Sequence, residues 1–280
     1  MLQKHKSLAE NLDEKAFLMI KDAIFKATGL KCEYYRDNYL RRRISSRMRT
    51  LGIDSYWRYL RYLRSHSDEY SLLLRDLTIN YTKFFRDPDV FIFFKDVILP
   101  SILSSKNTIR VLSAGCASGE EPYTIGMMIY EALGSKISDF YISIHGVDID
   151  EDCIKKATTG LYDEKELSNI PSYLIKKYFD FVGGGLFKVK NMIRRFIHFE
   201  RADIISGLKY RSFDVIFCRN VLIYFDKRGQ AQLFNNFYNS LTVDGYLILG
   251  KTEVIPEEAQ GMFRCISPEA RVYQKVWPLR

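Results

Sequence analysis

The 280-residue sequence predicts an α/β protein. The expected core is a mostly parallel sheet with an antiparallel last strand, preceded by a small all-α domain and carrying a small antiparallel β-subdomain insertion. Three observations predict it. From Asp13 to about Lys106 apolar residues recur at helical spacing; after Lys106 short β-rich runs alternate with helical stretches; and ahead of Phe213 a glycine-rich, period-two stretch breaks that alternation.

Four amphipathic stretches make up the helical part. Asp13 is placed to cap a helix reading EKAFLMIKDAIFKATG, and Gly29 to end it. In the next stretch Leu40, Ile44, Met48 and Leu51 form one apolar stripe, while Arg41, Arg42, Arg43, Arg47 and Arg49 fill much of the remaining circumference. A third stretch carries Tyr56, Leu60 and Leu63 on one face, and a fourth Tyr70, Leu73, Leu74 and Leu77. These predict a compact basic bundle, assigned with its linker to residues 1–90.

Residues 91–280 are assigned to the α/β domain. Strands are expected at Thr108 to Ala114, Tyr141 to Val147, Phe213 to Cys218 and Tyr246 to Leu249, with helices at Glu120 to Leu133, Glu151 to Thr159 and Lys227 to Leu241. FRCI near Phe263 and ARVYQKV near Val272 leave room for only a hairpin, hence an antiparallel pair closing the sheet. The insertion, about residues 179–202, reads GGGLFKVK and then RRFIHFERA, two or three short antiparallel strands turning at Gly183, Gly184 and Gly185.

Bulk properties narrow the function. The chain is 47% hydrophobic and 27% charged, which is globular usage. Cys32, Cys116, Cys153, Cys218 and Cys265 lie far apart with no CxxC pair, so reduced thiols in a cytoplasmic protein are expected, with neither disulfide nor metal site. Apolar runs are far below the roughly 20 residues of a membrane span, so no membrane insertion is expected. The net charge of +8 favours an acidic partner without choosing among nucleic acid, anionic lipid and acidic protein.

The strongest chemical signal is IRVLSAGCASGEEPY, a strand, a glycine turn at Gly115 and a helix, the Rossmann-like arrangement for a nucleoside ligand at a sheet's carboxyl edge. Glu120 and Glu121 stand where a pyrophosphate would sit and would repel it. They suit a ligand with positive charge or hydroxyls, such as S-adenosylmethionine, although capping of the helix explains them too. In HGVDID, Asp148 is the expected acceptor for ribose hydroxyls and Asp150 the cap of the next helix. Arg219, Asn220, Tyr224 and Asp226 cluster in IFCRNVLIYFD at another strand end, and Asn80, Thr82 and Arg86 crowd among aromatics in LTINYTKFFRD.

TINYTKFFRD, AGCASGEEPY, VDID and FCRNVLIYFD, in that order and with the basic helix, resemble the chemotaxis-receptor methyltransferases of the CheR family from about Phe17 to Val276. The resemblance implies a protein-glutamate O-methyltransferase. Its cofactor would be S-adenosylmethionine, its product S-adenosylhomocysteine, and its substrate the glutamate carboxylates on chemoreceptor cytoplasmic helices. By position it implies that Asn80, Thr82, Arg86, Glu121, Asp148, Asp203, Ile204, Arg219 and Asn220 line the cofactor site and that Arg86 and Tyr224 face the reacting groups. Arg41, Arg42, Arg43, Arg47 and Arg49 would grip the acidic receptor. The loop FVGGGLF is shorter than in members that hold a receptor's tether peptide, so a tether-independent enzyme is expected, with a monomer as the default.

A glutamate carboxylate is ionised near neutral pH, its ordinary pKa being about 4.3, so methylation needs no general base. The scattered His5, His66, His145 and His198 fit that absence. The reaction needs alignment and exclusion of water, for which Phe84, Phe85 and Phe225 are the expected walls. Two rival functions remain: a nucleic-acid methyltransferase, whose binding would weaken steeply with salt, and a non-catalytic module that senses S-adenosylmethionine.

Overall fold

A computed structural model describes residues 2–78, 80–207 and 209–277. It divides into two compact units, Met1–Ile79 with Tyr224–Gly229, and Asn80–Ile223 with Gln230–Arg280.

The first unit holds helices α1 (Leu2–Thr28), α2 (Asp37–Thr50), α3 (Tyr56–Ser65) and α4 (Asp68–Leu77). α1 begins well before Asp13, so that residue lies inside the helix rather than capping it; KHKSLAENL supplies good helix formers upstream and no breaker. Gly29 ends the helix at φ +83°, a conformation that favours glycine. Phe17, Ile20, Leu40, Ile44, Leu60, Leu63 and Leu73 form the bundle interior. Arg47 reaches into it: its Nε and Nη2 donate to the two oxygens of buried Glu69, each at 2.7 Å, and the Tyr59 hydroxyl adds a third donor at 2.9 Å. The returning segment Tyr224–Gly229 bridges to Tyr35 through Phe225.

The second unit opens on α5 (Pro88–Phe93), a π turn at Phe94–Ile98 and α6 (Leu99–Leu103). There follow β1 (Thr108–Ala114), α7 (Glu120–Leu133), β2 (Tyr141–Asp148), α8 (Glu151–Thr159), β3 (Leu161–Asp163) and α9 (Ser172–Tyr178). Next are β4 (Phe179–Gly183), β5 (Leu186–Val189), α10 (Asn191–Arg194), β6 (Ile197–Arg201) and β7 (Phe213–Cys218). The chain ends with α11 (Lys227–Ser240), β8 (Leu241–Leu249), β9 (Phe263–Ser267) and β10 (Val272–Lys275).

The main sheet has seven strands in the order β6-β2-β1-β7-β8-β10-β9, and β10 runs antiparallel to both neighbours. β1 pairs in parallel with β2 on one side and β7 on the other. Strand order therefore reverses at β1, which opens a crevice at the carboxyl ends of these strands. All six residues of β7 are buried, as expected of a central strand covered on both faces.

The insertion differs from expectation in one respect. IHFER is not a member of the small antiparallel sheet: as β6 it pairs in parallel with β2, Ile144 to Ile197 through Asp148 to Arg201. The small sheet is β3-β5-β4, completed by Leu161–Asp163. Period-two alternation marks a strand without saying which sheet it joins, because partner choice depends on what the neighbouring backbone leaves unpaired.

Candidate functional site at the carboxyl edge of the sheet

β1 delivers the chain into Gly115 at φ +76°, where an added Cβ would come within 2.6 Å of Val221 Cγ2. Only glycine fits both the backbone and the space. The turn is tied to β2: the Gly115 and Cys116 N–H groups donate to the Val147 carbonyl at 2.9 and 3.0 Å, and the Ala117 N–H donates to Asp148 Oδ2 at 2.9 Å. Asp148 Oδ1 accepts from the Asp150 N–H at 3.0 Å. Burial pushes the Asp148 carboxyl up, and these backbone donors oppose the rise. A carboxylate has about four acceptor positions, so Asp148 fixes two loops and keeps capacity for a ligand. Asp150 caps α8, accepting from Asp152 and Cys153 N–H at 2.9 and 3.2 Å, and its other oxygen accepts from Asn80 Nδ2 at 2.7 Å.

The paired glutamates separate into two tasks. Glu120 turns inward, 3% exposed, and both its oxygens accept from Ser118 Oγ at 2.9 Å; burial raises its pKa to about 7. Glu121 turns toward the sheet edge, accepting from Ser113 Oγ at 2.7 Å and from Arg219 Nη1 at 3.2 Å. Arg219 also donates through Nη2 to the Arg86 carbonyl at 2.8 Å and pairs with Asp87. Its guanidinium lies over Phe91, 5.3 Å from the ring centre. Its Nε, although buried, has no partner, and the same is true of Asn220 Oδ1. Phe85 and Asp87, at φ +51° and +55°, hold the turn before α5 in the left-handed region, a strain of the kind that gathers at ligand sites.

Further residues flank this cluster. Asp203 follows Ala202, whose N–H donates to the Asp148 carbonyl at 2.9 Å; its Oδ1 accepts from Ile205 N–H at 3.1 Å, starting a short turn that buries Ile204. Thr82 and Arg86 are half-buried, and Arg86 Nη1 donates to the Tyr81 carbonyl at 3.2 Å. Tyr224 belongs to the helical unit, its ring 5.0 Å from that of Tyr39.

Several expected placements change. Phe84 and Phe85 are core residues, packed against Tyr162 and Phe91 respectively, and Phe225 packs on Tyr35 in the helical unit. Arg47 is held by Glu69 rather than presented outward, since a bidentate partner inside the bundle outweighs its place on the polar side of the stripe. Arg41 pairs with Glu14 at 2.6 Å and covers the Phe17 ring, Arg43 is half-buried with its Nε unpartnered, and Arg42 and Arg49 are exposed. His145 and His198 are not scattered: they are register partners across β2 and β6, with rings 5.6 Å apart. They line a groove of about 780 Å³ with the strand-start residues Thr108 and Tyr141. His5 falls outside the residues whose side chains are described.

The sequence reading missed Glu253. This buried carboxylate accepts from the Gly250, Asn220 and Leu222 N–H groups at 2.7, 2.8 and 2.8 Å. The signal was weak, one of three glutamates in GKTEVIPEE just after β8.

A crevice at the strand-order reversal, acidic at the helix start where a phosphate cradle would be basic or glycine-lined, and an antiparallel strand inserted beside β9 define an S-adenosylmethionine-dependent methyltransferase. The residues fit that ligand: at this edge the buried Asn220 Oδ1 lacks a donor and the buried Arg219 Nε lacks an acceptor. Among the described residues no acidic, histidine or cysteine group is arranged to hold a metal, and no helix is long and apolar enough to cross a membrane.

Comparison with known proteins agrees. Residues 80–272 match the family model described as CheR methyltransferase, SAM binding domain, and residues 15–78 that described as CheR methyltransferase, all-alpha domain. The chain is 34% identical to a chemotaxis protein methyltransferase of Borreliella burgdorferi, over 83% of this chain and 85% of that protein. It is 31% identical to the Escherichia coli chemotaxis protein methyltransferase, over 90% of this chain and 88% of the relative. Chemotaxis protein methyltransferase 2 of Vibrio cholerae is 30% identical over 85% and 84% of the two chains. The chain belongs to the CheR methyltransferase family.

Proposed function

We propose that this methyltransferase esterifies glutamate side chains on the cytoplasmic helices of chemoreceptors. The observation that carries the reading is the pair of unpartnered buried atoms, Asn220 Oδ1 and Arg219 Nε, beside Glu121 at the carboxyl edge of a chain whose relatives are named chemotaxis protein methyltransferases. A bound S-adenosylmethionine supplies an activated methyl group on a sulfonium. Glu121, Asn220 and Asp148 hold its polar and cationic parts, with Asn80, Thr82, Asp203 and Ile204 completing the pocket.

The chain's own task is positioning. A carboxylate needs no proton removed, so what a residue contributes is alignment of one oxygen behind the methyl group at roughly 3 Å. Arg86, half-buried, with its backbone carbonyl fixed by Arg219, orients the incoming carboxylate, and Tyr224 is the second residue that the family likeness proposes for the reacting groups. A firm grip on the ground state would slow the reaction, so orientation by one partly exposed guanidinium suits the task better than a closed salt bridge. Arg41, Arg42, Arg43 and Arg49 form the receptor-facing group, without Arg47. Independence from a tether peptide is supported by the short link of β4 to β5, which leaves only Gly184 and Gly185 between the strands.

Incubation with methyl-labelled cofactor and receptor cytoplasmic fragments tests the reading. Base-labile label on the receptor is the expected result; label on RNA or DNA instead, or on nothing, overturns it.

A further inference from the structure

The Arg219–Asn220 corner has to hold an energetically costly geometry. Asn220 sits at φ +62° with its Oδ1 buried and unpartnered, and left-handed backbone at a non-glycine residue persists only when its surroundings impose it. The imposing group lies 33 residues downstream. Glu253, 4% exposed, receives N–H groups from both sides of a corner: Asn220 and Leu222 after β7, and Gly250 after β8. Its carboxylate thus ties together the ends of two parallel strands that pair as far as Cys218 and Leu249. The fit is tight, since a Cβ on Gly250 would come within 2.7 Å of Glu253 Oε2 and 2.8 Å of the Asn220 nitrogen. Val221, between two of the clamped N–H groups, is the residue whose Cγ2 closes on Gly115.

We infer that Glu253 is a positioning residue for cofactor binding, acting through Asn220: its carboxylate fixes the corner so that Asn220 Oδ1 is already aimed at the ligand before the ligand arrives. The inference rests on the reading that Asn220 contacts the cofactor. A carboxylate suits the role because it accepts three backbone donors at once, whereas an amide would set its own N–H₂ against one of them. Pre-organisation of this kind acts on affinity, because the ligand no longer has to order the corner.

Calorimetry with S-adenosylhomocysteine on the full chain, for wild type, Glu253→Gln, Asn220→Ala and the double variant, tests it. Each single change is expected to weaken binding roughly 10- to 100-fold, the effect of losing a charge-assisted hydrogen bond or its geometry. The double variant is expected to bind no more weakly than the weaker single one, because both changes remove one interaction. Wild-type affinity in Glu253→Gln, or losses that multiply in the double variant, would overturn the inference. Unchanged affinity in Asn220→Ala would instead overturn the assignment of Asn220, and with it the role of Glu253. Where Glu253→Gln does not fold, Gly250→Ala keeps the carboxylate but presses on it and on the Asn220 nitrogen. The same weakening, absent in an Asn220→Ala background, is then expected, and wild-type affinity would count against the proposal.

Discussion

Each unit contains one deeply placed arginine joined to carboxylates, and the two differ in what they leave unsatisfied. Around Arg47 the account closes: two guanidinium nitrogens and the Tyr59 hydroxyl occupy Glu69 inside the bundle. Around Arg219 it stays open, because Glu121 and Asp87 take the terminal nitrogens while Nε and the neighbouring Asn220 Oδ1 have no partner. Nearly all buried polar groups in folded proteins find partners. The closed network around Arg47 serves structure, and the open one around Arg219 is where the proposed ligand would complete it.

The largest expected effect separates the two arginines. Arg219→Ala should weaken S-adenosylhomocysteine binding at least about 100-fold by calorimetry, as well as lowering the melting temperature, since it strands Glu121 and Asp87. Arg47→Ala should cost about 3–5 kcal/mol of folding stability by denaturant titration, yet leave cofactor affinity at the wild-type value in whatever fraction folds. Equal losses of affinity in the two variants would erase the distinction. It sharpens in the paired replacement Arg47→Met with Glu69→Leu, which should recover most of the stability because no buried charge is left alone.

Next in size is a pH effect from the inward-turned Glu120. Its folded pKa, raised to about 7 by burial, lies above the ordinary carboxylate value. The folded state therefore binds the proton more tightly, and the stability so gained is complete below about pH 4.3 and lost as the pH rises toward 7. Glu120→Gln mimics the neutral form throughout. It should be more stable than wild type at pH 8, by up to roughly 3 kcal/mol, with the gap closing as the pH falls toward 4.5. Chemical denaturation across that range measures it, and a constant gap would refute the assignment.

Gly115→Ala is expected to be smaller, at about 1–3 kcal/mol, since it combines positive φ with a 2.6 Å approach to Val221 Cγ2. Cofactor affinity should fall along with stability. The smallest effect belongs to the surface pair Arg58 and Asp54, whose side chains are 64% and 73% exposed. Arg58→Ala should stay within about 0.5 kcal/mol of wild type in a thermal melt.

Much of the α/β core was legible in the sequence because its signals are local. Glycine at 115, the β-rich run from Thr108 and the apolar period after Glu120 mark strand, turn and helix without reference to anything distant. Asp150 could likewise be read as a cap, since its partners are two and three residues away. What escaped depends on neighbours far along the chain. The start of α1 was misplaced because a good cap residue also sits comfortably inside a long polar helix. β6 was given to the wrong sheet because alternation does not name a partner.

By itself, then, the sequence determined which segments become strands and helices and which residue types stand at the strand ends, because propensity, periodicity and turn chemistry act over a few residues. Tertiary structure alone decided that Glu120 turns inward while Glu121 meets Arg219, that Arg47 is held inside its bundle, and that Glu253 reaches back to Asn220. Those outcomes depend on which polar groups remain unpaired after the backbone has folded, a quantity that comes into being only when distant strand ends are brought side by side.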